Sequence, residues 1–404
     1  MTERVLIVGG GPVGLSLSLV LAHRGTPSLV LEARQEPTPK DESRAITWMP
    51  KGLELLDRLG LEEAFARSGV RRTAHEFWTG GRRVLTMPFD KVRSPHRYTL
   101  QLPQHDSEVL LEAAALGSGL VEVRRGHHVL GIGQDGKRAT ARMEGPDGGY
   151  HLEAPWAVGC DGARSAVRRM LGIETQWRDY GTDSAVADFE MECGLPKEVS
   201  RIVLDPARPY GFFYFAPGRW RLIYRVNRGE DRRALTTEAA ATKLLLSKLP
   251  EARVEGFLWA SAFRLGQGQS TTYRRGRWLL AGDAAHAMGP SAGAGMMVGV
   301  LGAWRLGWRL ALAIEGLADP EELLEGYERE QRAASEEVQN ANALIFRNMA
   351  IANRLVGTAR GMALRGISRV GPIVRRMTEK EALVTQELSA PGGAPLHEAQ
   401  KVAG

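Results

Sequence analysis

Apolar and polar positions alternate between two periods from the start of the chain. Residues 4–8 form a short apolar run, Leu15, Leu17, Leu19, Val20 and Leu21 follow in a helix-like pattern, and Ser28-Leu29-Val30-Leu31 returns to an apolar run ending in Glu32. That order predicts a buried parallel strand, a helix and a second parallel strand. An amphipathic helix is predicted over 50–59 and closed by Gly60. Alternation over 76–87 around Gly80-Gly81 predicts a hairpin; a strand over 98–102 then leads to a helix over 106–116 capped by Asp106. The stretch 121–158 reads as strand-rich, and a basic helix follows through Ser165, Arg168, Arg169 and Leu171.

Residues 179–271 change character. Strands are expected at 186–191, 202–204, 211–215, 221–226 and 254–263, with a helix at 238–249. Aromatic residues gather at Tyr210, Phe212, Phe213, Tyr214, Phe215 and Tyr224. Two readings stay open for them: alternate members fill a core, or one sheet face covers a planar ligand, with Tyr210, Phe212, Tyr214 and Tyr224 as the candidate substrate residues. A last apolar strand, Trp278-Leu279-Leu280-Ala281, runs into Gly282, Asp283 and a glycine-rich loop, then a helical pattern over 296–313. Glycines and arginines interrupt that helix, so no bilayer-spanning segment is expected. A long helical pattern covers 320–357, and the tail after Leu388 reads as loose. Seven arginines and no acid lie between Arg347 and Arg376, which reads as the solvated face of a packed helix rather than a membrane contact.

Composition narrows the class. The chain has 404 residues, 43% of them hydrophobic and 25% charged, as in a soluble protein large enough for two packed domains. A net charge of +6 favours anionic small molecules, and no nucleic-acid-binding motif accompanies it. Two cysteines, Cys160 and Cys193, make neither a disulfide framework nor a metal cluster. No charged leader precedes the first strand pattern, so a cytoplasmic protein is expected.

The candidate chemistry begins at Gly9-Gly10-Gly11-Pro12-Val13-Gly14, a G-x-G-x-x-G run between strand and helix, with Glu32 at the end of the second strand. Gly9 makes the turn, Gly11 admits a pyrophosphate to the backbone, and Gly14 packs helix on strand. The helix N-terminus supplies N–H groups to phosphates and Glu32 accepts from ribose hydroxyls, which predicts a dinucleotide without choosing NAD or FAD. Arg44 offers a guanidinium fork to a phosphate beyond the loop, although the residues alone favour a surface arginine. Two further strand ends carry an acid beside a glycine: Cys160-Asp161-Gly162 and Gly282-Asp283.

Those three acids, in that order, resemble the flavin-dependent aromatic hydroxylases of the p-hydroxybenzoate hydroxylase type, over roughly residues 1 to 375. The resemblance implies an α/β fold, with a Rossmann-like FAD-binding domain (1–75, 100–178 and 272–320) interleaved with a mostly antiparallel substrate-binding sheet (76–99 and 179–271). A helical C-terminal region (321–404) completes it, in a short form without a thioredoxin-like domain. It implies that Gly9, Gly11, Gly14 and Glu32 bind FAD, joined by Arg44, Gln104, Asp161 and the ribityl contact Asp283. Pro290 would pack near the isoalloxazine, and Gly293, Gly295, Met296 and Met297 would face its pyrimidine edge, where the helix start favours a reduced, anionic flavin.

NADPH or NADH would serve as transient reductant, and O2 as co-substrate. An aromatic ring would be hydroxylated through a flavin C4a-hydroperoxide, in natural-product tailoring or aromatic catabolism. No catalytic base is assigned; His286 lies in the loop, but a structural role suits it better. Two departures stand out: the usual asparagine is Met297 and the usual helix aspartate is Gly302. They keep a related flavoprotein open, performing Baeyer–Villiger, epoxidation or dehydrogenation chemistry, with a non-catalytic flavin-binding protein further behind. The halogenase signature W-x-W-x-I-P is absent. A monomer or homodimer is expected, without nucleic-acid partners.

Overall fold

A computed structural model describes residues 3–42, 45–289, 293–350 and 354–388. Its centre is a six-stranded sheet in the order Arg274–Arg275, Trp278–Leu280, Ala157–Gly159, Val5–Val8, Ser28–Glu32, Val121–Arg125. All neighbours run parallel except the edge pair Arg274–Arg275 with Trp278–Leu280. The near-continuous apolar strands are buried on both faces, as parallel strands between helix layers must be. The predicted β-α-β unit is present as Val5–Val8, Pro12–His23 and Ser28–Glu32.

Helix Pro12–His23 packs along the 22-residue helix Ala294–Glu315. A Cβ on Gly307 would sit 2.5 Å from Val20 Cγ1, so the missing side chain is what lets the two backbones approach. By length and composition Ala294–Glu315 is able to cross a membrane, which corrects the expectation that its glycines and arginines disqualify it. Nevertheless 89% of its apolar window is buried inside the protein, so its hydrophobicity serves the core.

The second large element is a seven-stranded sheet in the order Arg253–Ser270, Thr175–Glu192, Arg219–Val226, Tyr210–Ala216, Val199–Val203, Ala74–Thr79, Arg82–Pro88. Only Val199–Val203 and Ala74–Thr79 pair in parallel. Strands Thr175–Glu192 and Arg253–Ser270 are each 18 residues long, well beyond the expected 186–191 and 254–263, and their register shifts between Asp179 and Asp183. Such irregularities bend long strands and hide their alternation from a short sequence window. Helix Glu238–Lys248 covers one face, burying Ala241 and Leu245 against Phe189, Phe212, Leu222 and Tyr224.

A small sheet, Thr47–Trp48, Thr99–Gln101 and Val70–Arg72, stands between the two. The helix after Gln101 runs Gln104–Gly117 with Pro103 at its cap, so Asp106 lies inside the first turn and is not the cap. Pro103 carries no side-chain acceptor, so this helix starts without a side-chain cap. The long helix Pro320–Ala350 is followed by Arg354–Ser368 and Gly371–Glu381, and the tail after Leu388 lies outside the described residues.

Candidate functional site

Three loops meet at the carboxyl ends of the adjacent parallel strands Val5–Val8, Ala157–Gly159 and Trp278–Leu280, the edge where open α/β sheets take ligands. In the first, Gly9 has φ +113°, and a Cβ there would strike the Cys160 carbonyl. A Cβ on Gly14 would strike the Gly9 carbonyl, so these two glycines are demanded by the fold. Gly11 is different: its backbone is ordinary, with φ −79°, and a Cβ there would meet nothing within 4 Å. The protein's own packing does not ask for glycine at position 11, and open space lies above it.

Acids border this space. Glu32 accepts from Gly10 N at 2.7 Å and from Arg34 N at 2.9 Å, which fixes its carboxylate at the loop. Asp161 Oδ2 accepts from Ala166 N and Val167 N at 2.7 and 3.0 Å, holding the start of helix Ala166–Met170, while its Oδ1 is buried without a partner. Asp283 lies in the turn Gly282–Ala284 and accepts no hydrogen bond among the described residues; burial pushes its carboxyl up to about 6. The loop beyond it is stitched to strand Arg253–Ser270 by Ser270 N to Ala285 O at 2.9 Å, Gly268 N to Ala287 O at 2.8 Å and Gly289 N to Gly266 O at 2.8 Å.

On the other side, Gln104 donates to Glu108 Oε1 at 2.8 Å and accepts from Ala45 N at 3.3 Å, so its amide braces the segment after residue 44. Arg44 and Pro290 lie outside the described residues. Gly293 precedes helix Ala294–Glu315 at φ +72°, and a Cβ there would meet Thr47 at 3.2 Å. Gly295 and Met296 follow in the first turn, leaving the helix N–H groups without side-chain caps. Met297 is fully buried, with its sulfur where a Cβ on Gly52 would stand, 2.5 Å away, so its side chain packs into helix Pro50–Arg58.

His286 is fully buried, and desolvation lowers its imidazole to about 4. Gln331 Nε2 reaches its Nε2 at 2.8 Å and also donates to Val298 O at 3.0 Å, while Gln331 Oε1 accepts from Arg305 at 2.7 Å. Arginine only donates and the carbonyl only accepts, so the amide orientation is forced. His286 Nε2 is therefore an acceptor, and the ring is neutral with its proton on Nδ1. The site missed in the sequence is Gln331, and its signal was Gly302: a Cβ there would stand 2.7 Å from Gln331 Cδ and Nε2. The space left by the missing helix aspartate is filled by this amide from a neighbouring helix.

The aromatic set resolves on the side of core. Phe212, Tyr214 and Tyr224 are buried beneath helix Glu238–Lys248, and half-buried Tyr210 packs at the rim of the same cluster. Tyr224 donates to Leu235 O at 2.6 Å, and the Tyr214 hydroxyl accepts from Gly218 N at 3.3 Å. None of the four faces the glycine loops; the strand register puts them on the helix-covered face. The opposite face carries Phe213, registered with Arg221, whose guanidinium makes a buried two-bond pair with Asp188, both at 2.8 Å.

Open space thus lies over Gly11, and Asp161 Oδ1 stands buried without a partner on the same edge. A family model described as an FAD binding domain matches residues 2–342. The chain is 36% identical over 349 residues to a 12-dehydrotetracycline 5-monooxygenase/anhydrotetracycline 6-monooxygenase of Streptomyces rimosus, covering 82% of this chain and 67% of the relative. It is 31% identical over 380 residues to a 3-(3-hydroxy-phenyl)propionate/3-hydroxycinnamic acid hydroxylase of Mycolicibacterium smegmatis, covering 93% of this chain and 66% of that one. The chain thus spans about two thirds of the length of these relatives. Among solved structures, the p-nitrophenol 4-monooxygenase from Pseudomonas putida matches with a TM-score of 0.82 at 26% identity, over 96% of this chain and 98% of that one.

Proposed function

The chain belongs to the FAD-binding-domain family whose model its residues 2–342 match, and from that premise we propose an FAD-dependent, NAD(P)H-consuming monooxygenase that hydroxylates a phenolic or polycyclic aromatic substrate. The observation that carries this reading is the convergence of three loops on one edge, with Gly11 open and with carboxylate oxygens of Asp161 and Asp283 left without partners. Named relatives that act on tetracycline precursors and hydroxylated phenylpropionates support the substrate class.

The loop Gly9 to Gly14 and the start of helix Pro12–His23 would hold the pyrophosphate, and Glu32 the adjacent ribose. Asp283 would take the ribityl hydroxyls, with Asp161 beside it, and Gln104 would brace the opposite wall through the backbone of Ala45. Gly293, Gly295, Met296 and Met297 would contribute backbone N–H groups, since the Met297 side chain is committed to Gly52. The flavin, reduced by NADPH or NADH, supplies the oxygen-activating chemistry when bound.

The chain's own residues bind, orient and shield. The uncapped N-terminus of helix Ala294–Glu315 favours negative charge at the edge it faces. Neutral His286, locked by Gln331, holds the loop that carries Asp283 and takes no proton at neutral pH. In this reading the parallel sheet holds the cofactor and the seven-stranded sheet forms the substrate side.

Purified protein should be yellow or take up FAD on reconstitution, and should consume NAD(P)H with O2 in an aromatic-dependent way. Protein that stays colourless after reconstitution overturns the proposal. One observation favours a second reading, a related flavoprotein of Baeyer–Villiger, epoxidation or dehydrogenation type: no asparagine amide stands at position 297. Reoxidation of reduced protein that never yields a hydroxylated aromatic, with any phenol tested, would select it.

A further inference from the structure

Four arginines are buried among the described residues: Arg72, Arg221, Arg305 and Arg309. Three are well partnered. Arg221 has Asp188, Arg305 has Gln331 at 2.7 Å and Gln386 at 3.2 Å, and Arg309 has Glu330 at 2.5 Å. Arg72 is the exception. It is 2% exposed, its Nε has no partner, and its one hydrogen bond is a long 3.5 Å contact to Tyr214 O. The acid that acts on it, Glu381, makes no hydrogen bond to it and pairs with His75 Nε2 at 3.0 Å, and His75 in turn meets the Ser200 hydroxyl. Burial pulls the guanidinium down to about 9, which still leaves it charged at neutral pH. A buried cation with so few acceptors is costly, and a ligand oxygen that accepts from its free Nε–H would offset that cost.

Its position says which ligand. In the small sheet Thr47 registers with Gln101 and Arg72 with Thr99, so Thr47, Gln101, Thr99 and Arg72 share one face. Thr47 donates to Gln101 at 2.9 Å and Gln101 donates to Thr99 at 3.0 Å. The row starts against Gly293, at the head of the core helix, and ends at Arg72, whose guanidinium stacks 5.2 Å from the centre of the Phe213 ring. Phe213 lies on the sheet face away from the helix-covered core. A cation beside an aromatic ring at the end of a polar row is suited to a planar ligand that carries an ionised oxygen.

Resting on the monooxygenase reading, we propose that Arg72 binds the ionised oxygen group of the aromatic substrate, a carboxylate or an acidic phenol or enol, at the end of this row remote from Gly293. The competing account is a structural cluster in which Arg72 serves Glu381 and His75. The two differ in sign. A structural cation is missed by the fold when it is removed, whereas a buried cation short of acceptors is not.

The test uses the FAD-loaded full chain and two matched probe pairs, 3-hydroxybenzoate with 3-hydroxybenzamide and 4-nitrophenol with 4-nitroanisole. Binding is read from perturbation of the flavin absorbance at a pH where the first member of each pair is ionised. Wild type should prefer the ionised member of at least one pair, and which pair shows whether a carboxylate or a phenolate is held. Arg72→Met should lose at least about tenfold in affinity for that anion while the neutral partner changes little. Its ligand-free melting temperature should be unchanged or raised, and Arg72→Lys should restore part of the preference. Equal binding of ionised and neutral probes by wild type, no binding of either anion, or a lowered melting temperature in Arg72→Met with the preference intact overturns the assignment. Retention of flavin in all variants keeps that failure separate from failure of the monooxygenase reading, which loss of flavin binding by wild type would mark.

Discussion

Replacing a glycine inside a helix by alanine ordinarily stabilises, by about 1 kcal/mol. Gly302 sits in the middle of helix Ala294–Glu315, and there the opposite sign is expected. The new Cβ would stand 2.7 Å from the Cδ and Nε2 of Gln331, which is itself fully buried and held by three hydrogen bonds. A free glutamine tip would swing aside at little cost, but this one is tied to His286, Val298 O and Arg305. Losing the two neutral bonds costs about 1 kcal/mol each, and the bond to the Arg305 guanidinium about 1.5–3 kcal/mol. Set against the helix-propensity gain, Gly302→Ala should destabilise by about 2.5–4 kcal/mol. In a Gln331→Ala background the clash and the bonds are both gone, so the same substitution should turn stabilising, by up to about 1 kcal/mol. Denaturant unfolding of the four proteins of this cycle gives the coupling directly. Stabilisation by Gly302→Ala in the wild-type background, or an equal cost in both, would refute the wedge.

The remaining predictions concern the loops and the buried ion pair. Gly11→Ala should leave the melting temperature unchanged yet abolish FAD retention, whereas Gly14→Ala should lower the melting temperature itself, and equal effects on stability would contradict the Cβ geometry. Asp283 is an acid whose folded pKa is raised from 3.8 to about 6, so its contribution is full at low pH and is lost as pH rises through that window. Flavin-free Asp283→Asn should therefore melt higher than wild type above about pH 6 and converge with it near pH 4, while retaining FAD less well. A wild-type-like melting profile across that range would remove the desolvated carboxyl. Asp188→Ala removes the two-bond carboxylate partner of the buried Arg221 charge and should cost about 3–5 kcal/mol, much of it recovered in the Asp188→Leu, Arg221→Met double variant. A double variant no more stable than the single one would show that the pair contributes more than mutual compensation.

What was legible in the sequence was local geometry. The β-α-β unit, the two later strand-end acids and the glycine loops each fit within a few consecutive residues, and they reappear where the pattern placed them. The facing of Tyr210, Phe212, Tyr214 and Tyr224 was not legible, because a strand has two faces and only the distant helix Glu238–Lys248 decides which is core. Gln331 and Arg72 were invisible for a related reason. Glutamine and arginine are ordinary at any surface position, and their meaning comes from burial beside His286 or Phe213. The departure at Gly302 did carry a signal, but it named a vacancy and not its occupant.

The strand at the middle of the six-stranded sheet, Val5–Val8, is the first synthesised, and its two flanking partners arrive at Ser28–Glu32 and Ala157–Gly159, with Trp278–Leu280 later still. The last ties are more distant: Lys51 N to Ala382 O and Arg58 to the Leu388 carbonyl close spans of more than three hundred residues. Non-local closure of this kind is slow relative to local contacts. Completion of the dinucleotide-binding edge therefore waits for strand Trp278–Leu280. Chains interrupted before about residue 280 would leave Ala157–Gly159 as an unpaired edge strand, exposed to aggregation.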